Sequence, residues 1–326
     1  MLPWIASDAG SLAAAYAAGR LPHALLIHEA PGAGGDWLAL WAAQLVLCLH
    51  AERAPCGSCA GCKRVEAGQH PDLLQIRPVE DSRQIRIEQV RELAQDLALT
   101  SHGGRYKVGI LSPADALNHF AANALLKTLE EPPPSTLLVL VATQPSRLPA
   151  TILSRCQRVR VRAPTREEAL SWLQSATPAG EWETALDILG NAPIAAAQLD
   201  PSGVAQIGVE VCSGLDESAR GGGDPVTTAE KWARADLPLR LRCFENWITK
   251  RIHAHFGTGG PLTEVGAGPY LPGAEAVLNI RELFELLDGV RDLKSALDTP
   301  INRGMALESL LRRLAPQRTG SLGTMR

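Results

Sequence analysis

Two short segments of this 326-residue chain carry residue types and spacings that could do chemistry. The first is a cysteine cluster. Four of the seven cysteines fall between Cys48 and Cys62, while Cys156, Cys212 and Cys243 stand alone. In Cys56-Gly57-Ser58-Cys59-Ala60-Gly61-Cys62 each thiol follows the last after two intervening residues. Cys48 lies upstream, at the end of a predicted helix. A tight knuckle lets three sulfurs converge, and a fourth arriving from the helix completes a tetrahedron. Structural Zn²⁺ in a closed Cys₄ shell is the reading of choice. An iron–sulfur cluster is the rival, but that run continues C-x₃-C-P and residue 66 is Glu.

The second segment is a phosphate-binding loop without its chemistry. Leu25-Leu26-Ile27-His28 reads as a buried strand, followed by Ala30-Pro31-Gly32-Ala33-Gly34-Gly35 and a helix from Asp36. A working loop has the form G-x-x-x-x-G-K-[ST]. Ala30 takes the place of the first Gly, and Gly35 keeps the last. Asp36 replaces the Lys that reaches the phosphates, and Trp37 replaces the magnesium-binding hydroxyl. A carboxylate repels polyphosphate, and an indole cannot ligate a hard cation.

These segments need a scaffold. Short, continuously apolar runs at 24–28, 73–76, 108–111, 137–142 and 159–161 predict strands covered on both faces, as in a parallel α/β sheet. Helical patterns at 36–48, 87–99 and 117–131 separate them, and Pro132-Pro133-Pro134 stops the last. Beyond Arg162 the strand signal disappears. Thr165-Arg166-Glu167-Glu168 is a capping box, and helices follow at 182–189, 193–199, 237–255, 275–297 and 302–314. Residues 214–228, with Gly221-Gly222-Gly223-Asp224-Pro225, read as a flexible interhelical loop, and 257–273 as a second separator. The composition is 45% hydrophobic and 21% charged with net charge −3, ordinary for a globular protein and unlike a dedicated nucleic-acid binder. No long apolar span and no signal segment are evident, so a cytoplasmic protein with no membrane contact is expected.

Several stretches now align. Leu21-Pro22-His23-Ala24-Leu25-Leu26 precedes the loop, and Glu66-Ala67-Gly68-Gln69-His70-Pro71-Asp72 follows the cysteines. Then come Ala121-Ala122-Asn123-Ala124-Leu125-Leu126-Lys127-Thr128-Leu129-Glu130-Glu131-Pro132-Pro133 and Ser154-Arg155-Cys156. Together they resemble the bacterial DNA polymerase III clamp-loader subunits of the AAA+ class. The resemblance is strong over about 20–165 and weaker beyond, although Asn302 and Leu307-Glu308-Ser309-Leu310-Leu311 fit the family's last helix.

The resemblance implies an α/β plus all-α architecture: a degenerate AAA+ domain (1–163) with a RecA-like parallel sheet and a zinc module (48–62), a helical lid (164–207) and a helical collar for oligomerisation (208–316); residues 317–326 have little to bury and are expected to be a disordered tail. The family contains ATP-hydrolysing motor (gamma/tau) subunits and a subunit that in many bacteria does not hydrolyse. A motor would carry D-E-A-D-like acids where this chain has Ser112-Pro113-Ala114-Asp115. Its second sensor Arg would fall near Ala195. With Asp36 and Trp37, that makes three losses, which point to the non-hydrolysing member and to no ATPase of its own with ATP/Mg²⁺. Arg155 implies the opposite: in the family it reaches a neighbour's ATP site as a trans arginine finger. The implied partners are the motor (gamma/tau) and delta subunits and, through the complex, sliding clamp and primer-template DNA of the polymerase holoenzyme. Two rival readings are an active motor of the same complex and a zinc-containing nucleic-acid-binding module, the latter requiring tight, steeply salt-dependent DNA binding.

The remaining candidates have bland readings. Arg155 could merely pair with a local acid. Thr143, at the first sensor's position, is expected to cap or pack. Lys107 and Lys127 are expected to be structural or solvated. His23 and His70 are superfluous to a complete Cys₄ set, and Trp37 and Trp41 are expected to pack their helix, Trp37 with the further option of blocking the vacated pocket.

Overall fold

The computed structural model describes residues 2–30, 32–79, 82, 84–103, 105–176, 180–189, 192–256, 279–297, 299 and 301–314. The separator at 257–273 and the tail at 317–326 lie outside the described residues, as do 275–278 at the start of the helix expected from 275. Contacts divide the chain into two compact units, Met1–Trp172 and Leu173–Arg326.

The first unit is built on five parallel strands, β1 (Ala24–Glu29), β2 (Leu73–Ile76), β3 (Lys107–Leu111), β4 (Thr136–Ala142) and β5 (Gln157–Val161), in the order β2-β3-β4-β1-β5. β3 and β4 are buried along their whole length, which is why they read as unbroken apolar runs. β1 pairs with β4 on one side and β5 on the other, so the loop after β1 opens at the carboxyl edge where the strand order reverses. In open α/β sheets that edge is where ligands bind.

Helices α1 (Ala6–Ala17), α2 (Gly35–Leu47), α3 (Ala60–Glu66), α4 (Ile87–Ala98), α5 (His119–Glu130), α6 (Ala150–Leu153) and α7 (Arg166–Ala176) complete or leave this unit. Val90, Leu93 and Leu97 of α4 are buried, as their helical spacing predicts. Asn118 caps α5 by accepting from the Ala121 N–H at 2.8 Å. The expected capping box opens α7: Thr165 Oγ1 accepts from the Glu168 N–H, and Glu168 accepts from the Thr165 N–H.

The second unit is helical: α8 (Trp182–Leu189), α9 (Pro193–Ala197), α10 (Pro201–Ala219), α11 (Pro225–Arg234), α12 (Leu237–His255), α13 (Ile280–Ser295) and α14 (Arg303–Leu314). Its core joins Val211, Leu215, Trp232, Phe244, Leu286, Val290 and Leu311. The loop expected at 214–228 is a correction. Only residues 220–224 connect α10 to α11, because Val211, Leu215 and Ala219 bury one helical face and Gly214 lies against Trp232. Asp224, followed by Pro225 in the first turn, caps α11 and restarts the helix. α10 also runs unbroken through residue 207.

Candidate functional site

β1 delivers Glu29 to the carboxyl edge of the sheet, and the loop re-enters α2 through Gly34, whose φ of 96° serves as the helix cap. Asp36 sits in the first turn. Its carboxylate accepts from Ser112 Oγ at 2.6 Å and from Arg77 Nη2 at 3.0 Å. Ser112 follows β3 and Arg77 follows β2, so adjacent strand ends supply both donors. A working site would place Lys at position 36 and an acid at 112, facing magnesium and phosphate. Here a carboxylate stands on the helix side and a hydroxyl on the strand side, and they satisfy each other.

The surviving acid is also engaged. Asp115 accepts from Thr143 Oγ1 at 3.1 Å and from the Gln144 N–H at 2.9 Å, which ties the end of β4 to the segment after β3. Trp37 is half exposed, and its ring meets Trp172 edge to face at 6.5 Å. Trp172 meets Trp4 at 5.8 Å in the same manner, and Trp4 Nε1 donates to the Ala33 carbonyl at 2.7 Å. Three indoles therefore flank the loop. Ala30 begins the turn that closes on Ala33. Ala195 lies in α9.

Glu29 escaped the sequence reading. Its Oε2 accepts from the Gly35 N–H at 2.6 Å. Burial raises its pKa above the ordinary glutamate value; the Gly35 and Gly34 N–H groups oppose that rise, while Asp36 and Asp115 add to it. The available signal was a carboxylate on the last strand residue before a phosphate-loop pattern.

The four cysteines converge as expected. The sulfurs of Cys48, Cys56, Cys59 and Cys62 all lie within 4.8 Å of one another, and Cys48 Sγ is 3.9 Å from Cys59 Sγ. A tetrahedron with Zn–S bonds of about 2.3 Å has sulfurs about 3.8 Å apart. The Cys59 and Cys62 N–H groups donate to the sulfurs of Cys56 and Cys59, each at 3.4 Å, and the His50 N–H donates to Cys48 Sγ at the same distance. The Ser58 backbone N–H and hydroxyl pull the Cys56 thiol down to about 5, whereas burial pushes Cys62 up to about 12. Donor set and spacing fit a tetrahedral thiophilic metal ion. Arg105, also missed in sequence, braces the module by donating to the carbonyls of Cys48 and Leu49. Gln44 of α2 donates to the Cys62 carbonyl at 3.2 Å. His23 Nε2 donates to the Leu129 carbonyl, and His70 Nδ1 accepts from the Asp72 N–H, so both rings serve the backbone.

Arg155 lies in the turn between α6 and β5. Cys156 points inward, into the core with Leu148 and Ile152, and burial raises its thiol to about 11. Arg155 turns outward. Its Nη2 pairs with Glu130 Oε1 at 2.7 Å, and Nη1 donates to the Thr151 carbonyl. The local acid pairing is thus real, but the Arg155 and Glu130 side chains keep 35% and 50% of their exposure. Lys107 is buried and donates to the Asp96 carbonyl at 2.8 Å, a structural role. Lys127 is exposed on α5.

A parallel sheet with a disarmed phosphate loop at its switch point, a Cys₄ module and a following set of helices define a degenerate AAA+ subunit. The family described as DNA polymerase III, delta subunit, matches residues 7–165. The chain is 38% identical over 229 residues to DNA polymerase III subunit delta' of Pseudomonas aeruginosa, covering 69% of this chain and 70% of that protein. It is 31% identical over 317 residues to subunit delta' of Escherichia coli, covering 96% and 94%. It also matches DNA polymerase III subunit tau/gamma of Haemophilus influenzae, at 38% over 145 residues, which is 44% of this chain and 21% of that protein. The chain belongs to the family of DNA polymerase III delta' subunits.

Proposed function

We propose that this subunit turns over no ATP of its own and serves a neighbouring gamma/tau motor by placing Arg155 at that motor's ATP site while the sliding clamp is loaded onto primed DNA. The observation that carries the first half is the Asp36–Ser112 hydrogen bond. It joins the two positions from which lysine and metal-binding acid would act. For the second half, the Ser154-Arg155-Cys156 turn is anchored by buried Cys156 and leaves the guanidinium outward. A half-exposed pair such as Arg155–Glu130 is worth only about 0.2–1 kcal/mol. A γ-phosphate building charge in a closed interface can displace it. Planar guanidinium geometry suits that task better than an ammonium.

Four thiolates, Cys48, Cys56, Cys59 and Cys62, hold Zn²⁺ in this reading, with a structural role. Delta is the other expected partner, and residues 208–316 form the collar through which the subunits assemble, after a lid at 164–207. Clamp and primer-template DNA are met through the complex, in the cytoplasm. Among the described residues no helix is long and apolar enough to cross a membrane.

The test is reconstitution with gamma/tau and delta. The isolated chain is expected to give no ATP turnover above background. Arg155→Ala is expected to assemble normally and to depress turnover by the complex; fingers supplied in trans contribute about 10³–10⁵ where a single site is measured. Turnover by the purified chain would instead favour a motor.

A further inference from the structure

The loss of Lys and hydroxyl explains why nucleotide would bind weakly at this loop, but not why the backbone cradle should be closed to phosphate. The first N–H groups of a helix have no intrahelical partner, and they bind anions whatever side chains follow. In this chain the donors at the start of α2 already have an anionic partner. Glu29 Oε2 accepts from the Gly35 N–H at 2.6 Å, and Gly34 also donates to this carboxyl group. The carboxyl lies close against the loop: a Cβ placed on Gly35 would fall 2.9 Å from Glu29 Cδ and 2.8 Å from Val141 Cγ1. Only glycine at 35 lets the side chain reach this position. Asp36, beside it, is held by Ser112 and Arg77, so its carboxylate cannot swing away without breaking two bonds.

We propose that Glu29 is the residue that denies this loop to polyphosphate: its carboxylate occupies the cradle a phosphate would need, as an anion supplied by the chain itself. Exclusion then has two parts, a missing cation at Asp36 and a seated carboxylate at Glu29. The inference deepens the non-hydrolysing reading and rests on it.

Restoring the cation alone separates the parts. Pyrophosphate and Mg-ATP binding are measured by titration calorimetry on the full chain, for wild type, Asp36→Lys, and Asp36→Lys with Glu29→Ala. Thermal unfolding and retained metal report on the fold. Wild type is expected to show no binding and Asp36→Lys at best weak binding, and the added Glu29→Ala is expected to tighten pyrophosphate at least tenfold. Should the alanine variant fail to fold, Glu29→Ser on the Asp36→Lys background, whose short side chain also vacates the cradle, carries the same expectation. Affinity within twofold of Asp36→Lys in a folded double variant overturns the proposal and leaves the non-hydrolysing reading standing. ATP turnover by wild type sinks that reading instead, whatever the binding comparison gives.

Discussion

Glu29, Asp36 and Asp115 bring three carboxylates to the rim of one loop, and the surrounding donors answer them one by one: Gly35 for Glu29, Ser112 and Arg77 for Asp36, Thr143 and Gln144 for Asp115. The arrangement has a cost at Glu29. Its folded pKa is raised, first by burial and then by its acidic neighbours, so its contribution to stability is whole below the ordinary glutamate range and is lost as pH rises through the folded pKa. The ionised carboxylate is therefore a liability at neutral pH. Glu29→Gln keeps the acceptor for Gly35 and removes the charge. Its thermal midpoint is expected at or above wild type at neutral pH, with the difference vanishing near pH ~4. A deficit that grows with pH would contradict this sign. The losses at Asp36, Trp37 and Ser112 were legible as wrong residue types at motif positions. The bond between Asp36 and Ser112 was not, because strand order alone brings the ends of β1 and β3 to one edge. Glu29 carried no motif of its own.

The element that presents the four thiols is short, and its geometry leaves little room. α3 starts against the end of α2 so closely that a Cβ on Gly61 would fall 2.5 Å from the Leu47 carbonyl oxygen. Backbone cannot yield there as a flexible side chain could. Gly61→Ala is expected to cost about 1–3 kcal/mol in thermal or denaturant unfolding and to loosen metal retention. Native-like stability with full metal content would show that the approach is not required. Metal analysis of wild type is expected to give about one zinc per chain, and a visible iron-dependent absorption would assign the site differently. The cysteine spacing announced this element outright. Strand cores read within one or two residues for the same kind of reason, since burial on both faces leaves continuous apolar runs. α1 was not read at all, because Ala-Ala-Ala-Tyr-Ala-Ala offers little contrast between faces. The glycines at 221–223 drew the expected loop out to 214–228, whereas burial of Leu215 and Ala219 keeps α10 helical until the glycines begin.

At the scale of the molecule the chain is two compact units. Leu311 lies fully buried in the helical core with Leu307 and Leu314. Leu311→Ala is expected to lower the unfolding stability of the second unit by about 2–5 kcal/mol while the metal stays bound, and to weaken assembly with partner subunits. Metal loss in step with helical unfolding would show the two units to be one cooperative whole. A chain without its own ATP chemistry is proposed to supply Arg155 to a neighbour. The most direct measurement is ATP turnover, with clamp and primed DNA present, by complexes of gamma/tau and delta carrying either wild-type or Arg155→Ala chain at matched assembly. Intact assembly is expected, with turnover lowered at least tenfold at the site facing Arg155 and not restored by Arg155→Lys. Equal turnover by the two complexes would contradict it.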